Sequence, residues 1–426
     1  MIGVIDRPHP RTRTIGVALL GCGGVGSRVA QMLAHDALAI TQRTGTELRL
    51  KRVLVRHANR DRGIEQRLLT NRFEDVLDED IDIVIEVMGG VDPAADHVRA
   101  LLERGIHVVT ANKTLIAHHG HELSAIANEN NALLSYEASV CAAIPVLSSL
   151  RRLRGDRIRS ITGIVNGACN YILTRMSQDD LPLQRAIDEA HRLGLVEPDP
   201  SADLSGRDSA EKLCILSAIA GFGRLGPAEV STDGIAHVTG EDILFAKRLG
   251  CAIKLVASIG EVDHGLASSV CPAFIHKSHS LASVQLENNA LLIDSDLGGE
   301  LLLQGKGAGP RPTASALLGD VLESAQARDF VSSFDQPGCF EAVARSHVQT
   351  TESYYVRLTP DGTHQRPALV LARLQAHGIS VAEIEFGNNN VRLLTNPVRL
   401  PQIRAAAHAI EGVEKLKGFI ARRIHG

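Results

Sequence analysis

The run Thr14-Ile-Gly-Val-Ala-Leu-Leu20 passes directly into Gly21-Cys-Gly-Gly-Val-Gly26 and then into the helical spacing of Val29, Ala30 and Leu33. A continuous apolar run of strand length, a turn spelled G-x-G-x-x-G and an amphipathic helix form the fingerprint of a dinucleotide-binding βαβ unit. Gly21 permits the tight turn, Gly23 lets the backbone approach a pyrophosphate, and Gly26 allows the helix to pack close to the strand. The helix start then offers free N–H groups and the positive dipole end to an anion. Gly21, Cys22, Gly23, Gly24, Val25 and Gly26 are therefore the first cofactor-binding candidates.

The next strand, Leu50 to Val55, ends in Arg56-His-Ala-Asn-Arg60. An acid at this position suits the ribose 2′-OH of NAD, whereas an arginine suits a 2′-phosphate. Arg56 favours NADP, with NAD still possible; the alternative is a solvated basic loop, since Arg60 and Arg62 follow. Further strands at Ile81–Val87 and His107–Lys113 bring Met88-Gly-Gly90, Asn112 and Lys113 to the carboxyl edge of the sheet, where open α/β sheets bind ligands. Lys113 reads as a substrate or nicotinamide contact, or as a helix-cap flank. His118, His119 and His121 lack the further ligands of a metal site and read as a helix start.

At 426 residues the chain calls for two or three domains. A hydrophobic share of 44% against 22% charged is that of a globular protein. A net charge of −4, no Trp and no basic stripe argue against nucleic acid as a partner. Seven scattered cysteines without a CxxC fit reduced thiols in a cytoplasm. No signal-peptide stretch and no window of ~18 apolar residues are found, so a soluble, cytoplasmic protein without membrane partners is expected.

A second stretch carries the chemistry. Leu193-Gly-Leu-Val-Glu-Pro-Asp-Pro-Ser-Ala-Asp-Leu-Ser-Gly-Arg-Asp-Ser-Ala-Glu-Lys-Leu213 opens as a turn and enters a helix. Pro198 and Pro200 keep its first half out of the helix and hold Glu197 on a fixed loop. Asp208 and Lys212, four apart, share one helix face. Alone they form only a surface ion pair worth about 0.3–0.5 kcal/mol. With Glu197 and Asp203 on the same loop, three carboxylates are expected to converge near one ammonium.

Read together, these motifs resemble homoserine dehydrogenase. The resemblance rests on Gly21-x-Gly-x-x-Gly26, Val108-Val-Thr-Ala-Asn-Lys113, Tyr136-Glu-Ala-Ser-Val140, Gly163-Ile-Val-Asn-Gly167 with Asn170-Tyr-Ile172, Glu197-Pro-Asp-Pro200, Asp208-x-x-x-Lys212, and Gly307-Ala-Gly309 before Pro312-Thr-Ala314. It implies NAD(P)-linked interconversion of L-aspartate 4-semialdehyde and L-homoserine, within threonine and methionine biosynthesis. It makes Lys212 the proton donor, places Asp208, Glu197 and Asp203 on the substrate, and adds Lys113, Gly194 and Gly309 to the cofactor contacts. A monovalent cation, usually sodium, would take oxygen ligands from Glu137 and the backbone of Val140, Ala142 and Ile144. Without the resemblance, Glu137 reads as a helix cap or ion-pair partner. Three departures stand out: Ala168 removes a threonine hydroxyl near the substrate, Cys141-Ala-Ala-Ile replaces a glycine-rich run, and Val196 replaces an alanine.

The expected fold class is α/β. Residues 1–150 form a Rossmann-type domain closed by 305–330, and 151–304 form a mixed α+β substrate and dimerisation domain. A linker at 331–350 leads to 351–426, a βαββαβ module resembling ACT domains, which bind amino-acid effectors and pair between subunits. The usual glycine after the first-loop proline is absent (Arg366-Pro-Ala-Leu), so a threonine-type effector site and a purely structural or dimerising role both stand. A homo-oligomer, dimer or tetramer, is expected. Two other functions remain open: an NADP-linked reductase of a related small aldehyde, and a non-catalytic NADP and amino-acid sensor. The retained Glu197, Asp208 and Lys212 count against the sensor.

Overall fold

A computed structural model describes residues 13–77, 80–262, 265–327, 351–359, 367–387, 390–399, 401–403, 405–406 and 417–424. The chain divides into two compact units, one of Met1–Arg151 with Ala308–Glu341, the other of Arg152–Gly307 with Ala342–Gly426.

In the first unit six strands, β1 (Arg13–Leu20), β2 (Thr46–Leu54), β3 (Leu69–Thr70), β4 (Ile83–Glu86), β5 (His107–Thr110) and β6 (Leu134–Ser135), line up as β3-β2-β1-β4-β5-β6. All pairs are parallel, which is the doubly wound order with its switch point beside β1. Ile15 to Leu20 are all buried, apart from Gly16 all apolar, as a central parallel strand requires. The returning helix Pro310–Ala327 buries Ala314, Leu317, Leu318, Val321 and Ala325 in the same core as Val29, Ala30 and Leu33. Arg13 ties it to β1 by donating to the Ala325 carbonyl at 2.7 Å.

The second unit carries β7 (Ile158–Ile164), β8 (Ser231–Thr232), β9 (Cys251–Val262), β10 (Gly265–His276), β11 (Asn288–Ser295), β12 (Gly299–Lys306), β13 (Thr351–Glu352), β14 (Tyr354–Thr359), β15 (Val381–Phe386), β16 (Val391–Thr395), β17 (Val398–Arg399) and β18 (Lys417–Ile424). One mixed sheet runs β12-β11-β7-β9-β10-β18-β14-β16-β15. The last four strands with helix Pro367–Ala376 and the helical residues after 400 form the βαββαβ module, and its own apolar core includes Val356, Leu358, Leu374, Val391 and Leu393. Its β18 pairs in parallel with Ala273–Ile275 of β10, so the module and the preceding strands of the unit share one sheet. Strand β10 runs unbroken over 12 residues. Pro272 lies inside it, and the β18 ladder begins only at Ala273, past the residue that has no N–H to donate.

The module is also bolted to helix Gly240–Arg248. The Tyr355 hydroxyl donates to Asp242 Oδ1 at 2.5 Å and Arg357 Nε lies 3.0 Å from the same oxygen. Asp242 Oδ2 completes a capping box with Thr239. Burial, then the Asp242 charge, raise the Tyr355 phenol. The 331–350 linker and the Arg366 loop lie outside the described residues. No described helix is long and apolar enough to cross a membrane.

Candidate active site

The cofactor side lies in the first unit and is built mostly from backbone. Gly21 adopts φ +102°, a left-handed conformation, and a Cβ there would meet the Val87 carbonyl oxygen at 2.8 Å. At Gly26 a Cβ would lie 2.3 Å from the Gly21 oxygen, so helix and turn approach as closely as glycine permits. Over Gly23 no heavy atom comes within 4 Å of the missing Cβ, which leaves the turn open on that side. Gly309 takes φ +110°, and Pro310 lies 3.6 Å from where a Gly24 Cβ would be, so the second glycine loop abuts the first. These features fit a dinucleotide pyrophosphate.

Side chains around this turn bring two surprises. Arg56 is exposed, while Arg62, a member of the solvated basic loop under the alternative reading, is half-buried and donates to the Cys22 carbonyl at 2.9 Å. Glu86 closes β4 fully buried, accepting from Thr110 Oγ1 at 2.6 Å and from Met88 N at 2.7 Å. Burial raises its carboxyl above the usual range, with those hydrogen bonds opposing. An isolated acid in an apolar run gave no periodicity signal. Asn112 caps the helix that starts at Lys113, accepting from Leu115 N at 3.1 Å and donating to the Gly90 carbonyl at 2.6 Å. Lys113 is thus the first helical residue at the carboxyl edge of β5. His118, His119 and His121 lie within this helix rather than at its start, and no metal-holding group of His, Cys, Asp and Glu occurs among the described residues.

The loop after β6 makes one 3₁₀ turn, Glu137–Ser139, and then places Cys141 (φ 57°) and Ala142 (φ 38°) in the left-handed region. Both Glu137 carboxylate oxygens are taken up: Leu147 N and Ser148 N each donate at 2.7 Å. The side chain caps helix Val146–Arg152. Asp320 accepts from Glu137 N at 2.9 Å; burial, then the Glu137 charge, push its carboxyl up to about 8.

In the second unit the candidate groups are side chains. The helix Arg207–Ile219 starts from Gly206, φ +83°, and presents Asp208 and Lys212 one turn apart. Lys212 Nζ donates to Asp208 Oδ2 and to the Val165 carbonyl, both at 2.8 Å. With side-chain exposures of 12% and 9%, this is a buried pair and not a surface one. Asp203, on the short helix Ser201–Leu204 that Pro200 caps, meets Asp208 through the Asn166 amide, which donates to Asp203 Oδ1 at 2.7 Å and Asp208 Oδ2 at 2.8 Å. Cys169 Sγ contacts the Asp203 carbonyl at 3.2 Å; burial, then the charges of Asp203 and Asp208, raise its thiol well above the ordinary range.

Two carboxylates, not three, therefore join the ammonium. Glu197 stands exposed on its loop, with no side-chain hydrogen bond or ion pair among the described residues. Gly194, φ +70°, terminates helix Leu183–Arg192, its N–H bonding the His191 carbonyl at 3.0 Å. Asn166 lies inside a quoted motif, yet sequence reasoning assigns it no role. The one available signal is an asparagine directly before a helical run.

Comparison with known proteins bears on both halves. A family model described as "Homoserine dehydrogenase" matches residues 145–322, and one described as "Homoserine dehydrogenase, NAD binding domain" matches residues 21–137. The homoserine dehydrogenase of Mycobacterium tuberculosis is 37% identical over 87% of this chain and 86% of its own. The crystal structure of a homoserine dehydrogenase from Thiobacillus denitrificans superposes with a TM-score of 0.88 at 33% identity, covering 97% of this chain and 99% of that one. A hyperthermophilic archaeal homoserine dehydrogenase in complex with NADPH gives a TM-score of 0.62 at 27% identity, over 74% and 98%.

Proposed function

The chain belongs to the homoserine dehydrogenase family, an NAD(P)-dependent oxidoreductase of amino-acid biosynthesis acting on homoserine and aspartate semialdehyde, and from that premise we propose that Lys212 is its proton donor. The observation that carries this is the largely shielded ammonium held at 2.8 Å by both Asp208 Oδ2 and the Val165 carbonyl. The nicotinamide supplies or accepts the hydride. Lys212 stabilises the charge developing on the aldehyde oxygen and hands it a proton, and takes one back in the reverse direction. Asp208 holds that ammonium and, with Asp203 bridged to it by the Asn166 amide, lines the substrate, while exposed Glu197 suits the substrate's own ammonium.

Gly21 to Gly26, Gly194, Gly309 and Lys113 hold the dinucleotide, and Arg56 favours NADP through its 2′-phosphate. The consecutive left-handed residues Cys141 and Ala142 shape a loop where a sodium ion would take oxygen ligands from Glu137, whose carboxylate also caps helix Val146–Arg152, and from the backbone of Val140, Ala142 and Ile144, since oxygen donors suit a hard cation. Functionally, 1–150 with 305–330 serves the cofactor, 151–304 the substrate and dimerisation, and 351–426, beyond the 331–350 linker, an ACT-like role with threonine as effector. Edge strand β12, with Leu301 and Leu302 exposed, supports a homo-oligomer. All six described cysteines are free, which suits a cytoplasmic setting.

The test is NADPH oxidation with L-aspartate 4-semialdehyde, wild type beside Lys212→Ala, repeated with NADH. A loss of roughly 100-fold or more in kcat with cofactor binding intact is expected. A wild-type rate in the variant would return Lys212 to a structural ion pair.

A further inference from the structure

Asn166 is the N-cap of helix Gly167–Gln178: its Oδ1 accepts from Cys169 N at 2.8 Å, and it is only 4% exposed. Its amide nitrogen spends its donors on two carboxylates, Asp203 Oδ1 at 2.7 Å and Asp208 Oδ2 at 2.8 Å. This orientation is forced, because the flipped amide would set a carbonyl oxygen against both carboxylates and an NH₂ against a backbone N–H. Asp208 Oδ2 accepts from the Asn166 amide and from Lys212 at once, and the peptide before Asn166 supplies the carbonyl that Lys212 also meets. One dipeptide, Val165-Asn166, thus touches the acid pair and the ammonium together.

We propose that Asn166 is a positioning residue for proton transfer, its amide clamping Asp203 and Asp208 so that Asp208 and the Val165 carbonyl aim the Lys212 ammonium at the substrate oxygen. The proposal rests on Lys212 being the proton donor. The residue type follows from the groups that meet there: the Asp203 carboxylate from the Ser201–Leu204 helix, the Asp208 carboxylate and Lys212 ammonium from the Arg207–Ile219 helix, and the neutral Cys169 thiol from the helix Asn166 caps. Two close carboxylates repel, and one of them tends to take up a proton. A neutral side chain with two donors on one nitrogen bridges them while adding no charge. Serine or aspartate would cap the helix equally well. Serine has a single donor, however, and an ionised aspartate has none and adds a third negative charge.

Asn166→Ser and Asn166→Asp therefore separate clamp from cap, with Lys212→Ala measured in parallel. Each lost charge-assisted hydrogen bond corresponds to about 10–100-fold. We expect kcat to fall about 10-fold or more in the serine variant and further in the aspartate variant. NADPH binding, followed by fluorescence, should stay near wild type, while the melting temperature should fall in both variants and further in the aspartate one, which adds a buried negative charge. The acidic limb of the kcat/KM pH profile should move to higher pH in both, because unbridged carboxylates hold their protons longer; a merely structural cap would not move it. Wild-type kcat and an unmoved limb in both variants, with Lys212→Ala inactive, overturn the clamp alone. A fully active Lys212→Ala overturns the proton-donor reading and the clamp with it.

Discussion

The Gly21–Gly26 turn draws on six consecutive residues, whereas the cluster around Lys212 gathers Val165, Asn166, Asp203, Asp208 and Lys212 from three separate stretches. The first offers backbone groups and needs side chains mainly to be absent. The second is made of charges whose geometry depends on helix caps, an amide bridge and burial. Backbone amides do not titrate and tolerate varied neighbours; a buried charge cluster is sensitive to pH and to every member's identity.

The largest expected effect breaks the backbone side. Gly26→Val places a side chain 2.3 Å from the Gly21 carbonyl. It should cost about 3 kcal/mol or more of stability, read by denaturant unfolding, and abolish measurable NADPH binding. Gly23→Ala is the sharpening control: the space is open, so the protein should fold normally while losing NADPH affinity. Unchanged affinity there would mean that the pyrophosphate does not lie over Gly23.

The second prediction concerns charge. Lys254 is buried on β9, donating to Asn170 Oδ1 at 2.9 Å and to the Val284 carbonyl, and burial lowers its ammonium to about 8. Between pH 8 and about 10.5 the unfolded chain binds more protons than the folded one, so stability rises with pH across that window. Thermal melts should show wild type gaining on the order of 1–3 kcal/mol from this group and Lys254→Met lacking the rise. Identical slopes would show that the buried lysine is hydrated.

Smaller effects follow. Arg56→Ala should raise KM for NADPH about 10-fold and leave KM for NADH nearly unchanged. Equal changes for both cofactors would move the 2′-phosphate contact elsewhere, with half-buried Arg62 the next residue to replace. Tyr355→Phe removes the hydroxyl bonded to Asp242 and should cost about 1 kcal/mol in chemical denaturation. A much larger loss would show that the Arg357–Asp242 contact depends on the hydroxyl as well.

This contrast also explains what was legible in the chain. The Gly21–Gly26 turn announces itself because its determinants are contiguous, and so do the four strands of the βαββαβ module, whose apolar runs alternate with turn residues. Asp208 and Lys212 are legible at helical spacing. Asn166 and Glu86 are not, because their partners lie 37 and 42 or 24 positions away in sequence and no local pattern records such a meeting. Glu197 misleads in the other direction: sharing a loop with Asp203 does not turn its side chain into the same cluster. Pro272 hides the true length of β10, since a proline normally marks a strand's end.

Because β18 lies along β10, the C-terminal module is woven in, not tethered. Cutting the chain near residue 350 would leave Ala273–Ile275 with unmatched amides and carbonyls along an apolar rim, an invitation to stick to other copies. Any module fused at that point in its place must therefore bring a strand of its own to seal the rim, which makes the tail a cover for β10 as well as a domain in its own right.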